Sequence, residues 1–291
     1  MILNVLLSGL SLAAFYFILS AGLSLVFGIM GVLNFASAGY FVAGLYAAWF
    51  GLGHGWGILP AFIFAAVVGG VLALLVEVSL LRPLYGNVGG QILTTLGVML
   101  ILDEAVNWVF GPQIQQEQMT GLLSQTVMFG GMPFPVFRLL LIAVGVLIFL
   151  LLALALRYTG LGLRVRAGVD SQTLAELAGV RVAPLRSIVY ALGGMLAGLA
   201  GALYGPFSGV YPSAGLDTLL LTFIVVVVGG LGSIPGTLAA SLVIGLAEAL
   251  VGFFVPSLAL TVNVLVMILV LLLRPQGLLG KPPGRRDTHA A

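Results

Sequence analysis

The stretch LLLTFIVVVVGGLGSIPGTLAASLVIGLAEALVGFF, Leu219–Phe254, decides the fold. It holds two apolar runs, Leu219–Val228 and Thr237–Phe254, and one charged residue, Glu248. Between the runs lies Gly229-Gly230-Leu231-Gly232-Ser233-Ile234-Pro235-Gly236. No helix crosses it smoothly, because glycine is a poor helix former and Pro235 lacks an N–H. A membrane-spanning helix needs roughly 20 apolar residues. Thr237–Phe254 comes close to that length, whereas the run before it is short and bounded by glycine, the form of a half-helix or re-entrant piece. Backbone that leaves helical form at membrane depth must be buried in protein or line a watery cavity. The glycine run is therefore either a broken helix beside a substrate path or a tight turn between two spans.

The same apolar character extends over the whole chain of 291 residues, 61% hydrophobic and 7% charged, with a mean hydropathy of +1.23. A soluble domain carries about 25% charged residues, so an aqueous fold of this composition would lack a polar surface. Lipid as solvent removes the difficulty. Seven further apolar segments run approximately Val5–Phe27, Phe35–Phe50, Ile58–Leu81, Ile92–Phe110, Phe137–Leu156, Ser187–Gly205 and Leu258–Leu273. Phe35–Phe50 is the other short one, following Gly28, Gly31 and Asn34. The sequence predicts an all-α, polytopic transmembrane helical bundle of about eight or nine spans, some of them broken or re-entrant. Residues 1–280 read as one transmembrane domain, with a polar loop at about 157–186. The tail 281–291, with two prolines, reads as disordered. The start, Met1-Ile2-Leu3-Asn4, has no basic region, so the first apolar run is expected to be retained rather than cleaved.

Arginine and lysine favour cytoplasmic loops. Arg82, then Arg157, Arg164, Arg166, Arg181 and Arg186, and finally Arg274, Lys281, Arg285 and Arg286 fall in three regions on one side, with only Arg138 opposite. These regions and the C-terminus are expected in the cytoplasm. A net charge of +2 implies no nucleic-acid partner. The chain has no cysteine. His54 and His289 lie too far apart in sequence for a metal-ligand pattern, so no metal or cofactor is expected. There is no P-loop, so the chain is not expected to bind ATP by that route, and no HExxH or GxSxG motif marks an enzyme.

Within the polar loop, Asp170-Ser171-Gln172-Thr173-Leu174-Ala175-Glu176-Leu177-Ala178-Gly179 reads as a short helix. Asp170 or Ser171 would cap it and Gly179 would stop it. Leu174 and Leu177 would share a face. Such a helix either docks into a groove on a soluble partner or lies on the membrane surface with no partner. Glu77, Asp103, Glu104, Asp217 and Glu248 fall in or beside apolar segments. Each is either functional or a hydrogen-bonded structural group facing the bundle interior. Gly194-x-x-x-Gly198 and Gly201-x-x-x-Gly205 are small-residue patterns that permit close helix contact. The two glycine-rich breaks, Gly28–Asn34 and Gly230–Gly236, hint at an internal duplication.

Several stretches in order resemble a known family. They are Gly22–Gly28, Gly31-Val32-Leu33-Asn34-Phe35-Ala36, Thr95-Leu96-Gly97, Gly162-Leu163-Arg164-Val165-Arg166-Ala167 with Asp170, Glu176-Leu177-Ala178-Gly179, Gly229–Gly236 and Arg274-Pro275-Gln276-Gly277-Leu278-Leu279-Gly280. From about Gly22 to Gly280 the chain is similar to the LivH-type permeases of branched-chain amino acid ABC importers. The family commonly has histidine after the Asn-Phe-Ala run, where this chain has Ser37.

The resemblance implies a bacterial or archaeal cytoplasmic (inner) membrane and a defined set of partners. These are a second, LivM-like permease, two cytoplasmic ABC ATPases, and a periplasmic or lipid-anchored substrate-binding protein. The 168–184 loop would then couple to the ATPases through Asp170, Leu174, Glu176, Leu177 and Gly179. Candidate path residues, small and neutral near segment ends or breaks, are Asn34, Ser37, Thr94, Thr95 and Ser233. Related permeases are associated with urea and short amides, or with other carboxylates. Two ATP-independent alternatives are a secondary transporter using Glu248 or Asp103 as its coupling acid, and a passive channel for a small neutral solute.

Overall fold

A computed structural model describes residues 2–115, 121–129, 132–170, 177, 179 and 182–280. In chain order the helices are α1 (Ile2–Met30), α2 (Ala36–Gly53), α3 (Ile58–Val76), α4 (Val88–Phe110), α5 (Val136–Tyr158), α6 (Gly160–Asp170), α7 (Val182–Ser208), α8 (Ala214–Gly229), α9 (Ile234–Phe254) and α10 (Ala259–Leu273). Each of the nine apolar segments coincides with one helix. Seven helical stretches are long and apolar enough to cross a membrane, and α8 is a shorter apolar helix. The short segment after Asn34 is the 18-residue α2.

Two elements were not foreseen. A two-stranded antiparallel hairpin, β1 (Thr126–Phe129) with β2 (Met132–Pro135), lies in the connection before α5. The helix α6 occupies a stretch whose Gly160, Gly162 and Gly168 argue locally against one. Asp170 is its last residue; the helix expected to follow, with Asp170 or Ser171 as its cap, lies mostly outside the described residues.

Polar side chains and left-handed glycines set the helix ends. The Asn87 side chain accepts from the Gly90 N–H at 3.0 Å and caps α4. Ser233 accepts from the Gly236 N–H at 3.1 Å and caps α9. Pro235 falls in the first turn of α9, where its missing N–H has no helical partner to lose. Gly31 and Gly230, with φ of +66° and +100°, take the chain out of α1 and α8.

The core is built on α7, which packs against α2 and α3, themselves in contact, and against α1, whose other main partner is α9. Lipid supplies little hydrophobic drive between helices, so contact depends on small residues that let backbones approach. A Cβ on Gly198 would collide with the Ala65 carbonyl of α3, and one on Gly201 with the Phe41 carbonyl of α2. One on Gly22 would meet the Gly193 carbonyl oxygen at 2.6 Å. The small-residue patterns of α7 are thus its contacts to α3 and α2, and Gly193 beside them is its contact to α1. Antiparallel to α1 runs α9, with Gly245 against Ala13 and Gly232 against Gly28. The outer helices turn Leu100 and Ile101 of α4, Leu147 and Leu151 of α5, and Leu265 and Leu272 of α10 outward, as a lipid-facing surface requires.

Candidate translocation site

The bundle has two polar ends. One, the arginine end, gathers the α1–α2 break, the turn after α3, the start of α7, the α8–α9 break and residues 274–280. The other gathers the turns after α2, α4, α7 and α9.

At the arginine end a cavity of about 770 Å³ is lined by Gly28 and Gly31 of the first break, Leu231–Pro235 of the second, Phe149, Leu156 and Arg157 of α5, Val165 of α6, and Leu279. Both glycine-rich breaks therefore open onto one space, a convergence invisible in sequence. The α8–α9 break is a tight turn, closed by the Ser233 N–H donating to the Gly230 carbonyl at 3.0 Å, and the same turn lines this cavity. The tight-turn reading of the break is the one that the geometry matches.

The candidate path residues divide into three groups. Ser233 lines the cavity and is half-buried. Asn34 and Ser37 sit together at the first break, the Ser37 hydroxyl donating to the Asn34 carbonyl at 2.7 Å. Both are buried, and the Asn34 side-chain oxygen accepts from the Tyr190 hydroxyl at 2.7 Å. Thr94 and Thr95 lie apart on α4, where Thr95 is buried and donates to the Ile92 carbonyl at 3.0 Å. Of the coupling candidates, Leu177 is 80% exposed. Gly179 has φ +82°, the left-handed conformation that a glycine helix stop requires. Leu174 and Glu176 lie outside the described residues, as does the tail 281–291.

Sequence reasoning missed a network between the turn after α3 and the start of α7. Glu77 is fully buried and opens a π-helical turn, Glu77–Leu81. Its carboxylate accepts from the Ser187 hydroxyl at 2.6 Å and from the Tyr85 hydroxyl. Arg82 donates to the Ser187 oxygen at 3.3 Å. The Arg186 guanidinium lies 4.4 Å from the centre of the Tyr85 ring. Burial, with Glu77 beside it, pushes the Tyr85 hydroxyl well above its ordinary range, so Tyr85 stays a neutral donor at physiological pH. The available signal was Glu77 in an apolar run about one turn before Arg82. What it lacked was the partner, Ser187, 110 positions away.

At the opposite end a cavity of about 330 Å³ is lined by Asp103, Glu104 and Asn107 of α4 with Pro112, Pro212 and Ser213. Gln115 and Val210 exchange backbone hydrogen bonds, both 2.8 Å, across this end. The adjacent acids point apart as expected, Asp103 buried and Glu104 exposed. Glu248 on α9 accepts from Tyr16 and Asn263, each at 2.7 Å, which is the structural role foreseen for a single intramembrane acid.

Apolar helices threaded around a small-residue core, with a largely apolar cavity at the arginine end and an acid-lined one at the other, fit a multi-pass membrane permease. More narrowly, the chain belongs to the family described as the permease component of the branched-chain amino acid transport system, whose pattern matches residues 5–273. It is 27% identical to the high-affinity branched-chain amino acid transport system permease protein LivH of Escherichia coli, over 96% of both chains. To the corresponding protein BraD of Pseudomonas aeruginosa it is 28% identical, again over 96% of both. It is 30% identical to a probable LivH of Methanocaldococcus jannaschii, over 90% of this chain and 88% of that one. Among solved structures, PsaBC from Streptococcus pneumoniae in complex with Fab shares the fold, with a TM-score of 0.52 at 14% identity over 91% of this chain and 89% of that one.

Proposed function

We propose that this chain is one of two permease subunits of an ABC importer for branched-chain or similar amino acids. The observation that carries the reading is the match of nearly the whole chain to that permease family. A second, LivM-like permease completes the translocation path, two cytoplasmic ATPases drive it, and a binding protein delivers substrate from outside. The arginine end faces the cytoplasm, in keeping with the preference of Arg and Lys for that side. On this reading the large cavity is the inner vestibule and the acid-lined cavity the outer mouth. Asn34, Ser37, Thr94, Thr95 and Ser233 remain the candidate path residues. The loop of about 157–186 docks the ATPases, with Asp170, Leu174, Glu176, Leu177 and Gly179 at the contact. The exposure of Leu177 leaves an apolar side chain available for such a groove. Residues 1–280 form the permease domain and 281–291 a cytoplasmic tail.

The test is a pull-down of the tagged protein from mild detergent, with partners identified by mass. Two ATPases and a second permease are expected, and Leu177→Glu is expected to reduce recovered ATPase at least fivefold. A chain that purifies alone and moves solute alone in liposomes overturns the reading in favour of an ATP-independent carrier.

A further inference from the structure

The start of α7 holds two separate parts of the arginine end. Ser187 and Tyr190 are three residues apart and so share a face of the helix. Ser187 bonds the buried Glu77 carboxylate at 2.6 Å, and Glu77 with Tyr85 secures the turn after α3. One turn further, Tyr190 is 1% exposed and donates to Asn34 at 2.7 Å, in the break between α1 and α2. Tyr40 of α2 approaches the Tyr190 hydroxyl at 3.4 Å, its ring edge-on at 6.2 Å. A single helical turn therefore grips the end of α3 and the joint between α1 and α2. That turn begins right after the loop read as the ATPase contact.

Apolar side chains slide past one another with little directional preference. A hydrogen bond weakens steeply once its angle or length leaves a narrow range. Two directional grips one turn apart thus make α7 move together with what they hold, where apolar contact alone would allow slippage. The π-helical turn at Glu77 fits this, since such turns recur at functional sites. Within the first break Gly31 is open, since no atom beyond its chain neighbours lies within 4 Å of where a Cβ on it would sit.

We propose that Ser187 and Tyr190 are positioning residues that link displacement of the loop preceding α7 to the α1–α2 break, through Glu77 on one side and Asn34 on the other. The inference rests on the importer reading above. Tyr190 touches no substrate in this scheme. It sets the position of Asn34, and with it the wall of the inner cavity.

The experiment uses the assembled importer, this chain with its second permease, ATPases and binding protein, in proteoliposomes. Labelled leucine uptake and ATP hydrolysis are read in the same vesicles. Tyr190→Phe, which keeps the ring and loses only the hydroxyl, is expected to cut leucine imported per ATP at least threefold. ATP hydrolysis and the amount of assembled complex should stay within twofold of the parent. Ser187→Ala should act in the same direction and Ser187→Thr, which retains a hydroxyl, should restore at least half of the loss. An unchanged leucine-to-ATP ratio overturns the proposal. So does a parallel fall of complex, hydrolysis and uptake, which marks a purely structural role. Failure of the parent complex to take up leucine with ATP strikes the importer reading itself. The chain has no cysteine, so Leu33→Cys gives a separate reporter. Its maleimide labelling should change on ATP addition in the parent and not in Tyr190→Phe, and a change that persists in Tyr190→Phe also overturns the proposal.

Discussion

The two glycine-rich breaks look alike in sequence and are held in different ways. The α8–α9 break is fixed by backbone against backbone. A Cβ on Gly230 would meet Gly280 at 2.5 Å, and one on Gly277 would meet Gly230 at 2.6 Å. The segment after α10 closes over it, with the Leu278 N–H donating to the Val228 carbonyl at 2.8 Å and the Leu279 N–H to the Gly229 carbonyl at 3.1 Å. The α1–α2 break is open around Gly31 and is held by side chains, chiefly the Tyr190–Asn34 bond. Side-chain bonds can be exchanged as helices shift, whereas a backbone interlock of this density has to be taken apart. The comparison casts the second break as a fixed joint and the first as an adjustable one.

The sharpest way to break this contrast is Gly230→Val. It forces a β-branched residue to φ +100° and into Gly280, combining strain of about 1–3 kcal/mol with a backbone clash. Membrane abundance by immunoblot should fall at least about tenfold. Removing residues 275–291 tests the same joint from its other side. It strips the two backbone bonds from the end of α8, and the detergent-solubilised protein should lose several degrees in its melting midpoint. Gly31→Ala probes the open break. It carries the left-handed strain of about 1–2 kcal/mol with no clash, so abundance should drop no more than about threefold. A loss comparable to that of Gly230→Val would erase the distinction between the breaks. The smallest effect on stability is expected for Asn34→Ala, which removes one intramembrane hydrogen bond worth about 0.6 kcal/mol. Abundance should stay near the parent level while uptake falls.

How much of this was legible can be followed residue by residue. Glu248 was readable as a structural acid within the bundle, because a lone carboxylate in an apolar helix must find donors; which donors, Tyr16 and Asn263, was not. The small residues of α7 announced close packing, and α3, α2 and α1 emerged as its neighbours only in three dimensions. Helix α6 escaped notice because its glycines lower helix propensity, and helical structure formed there regardless. The path candidates were chosen as small polar groups near breaks. Of these only Ser233 lines the large cavity.

Composition and local pattern were enough to settle the solvent, the class of fold and most of the places where helices stop. Those depend on composition and on glycine, proline and capping side chains, which act over a few residues. The meeting of the two breaks at one cavity, the burial of Glu77 under Ser187 and Tyr85, and the hold of Tyr190 on Asn34 were decided by tertiary structure alone. Each joins residues more than a hundred positions apart or on separate helices, and no local pattern encodes which helix face will meet which.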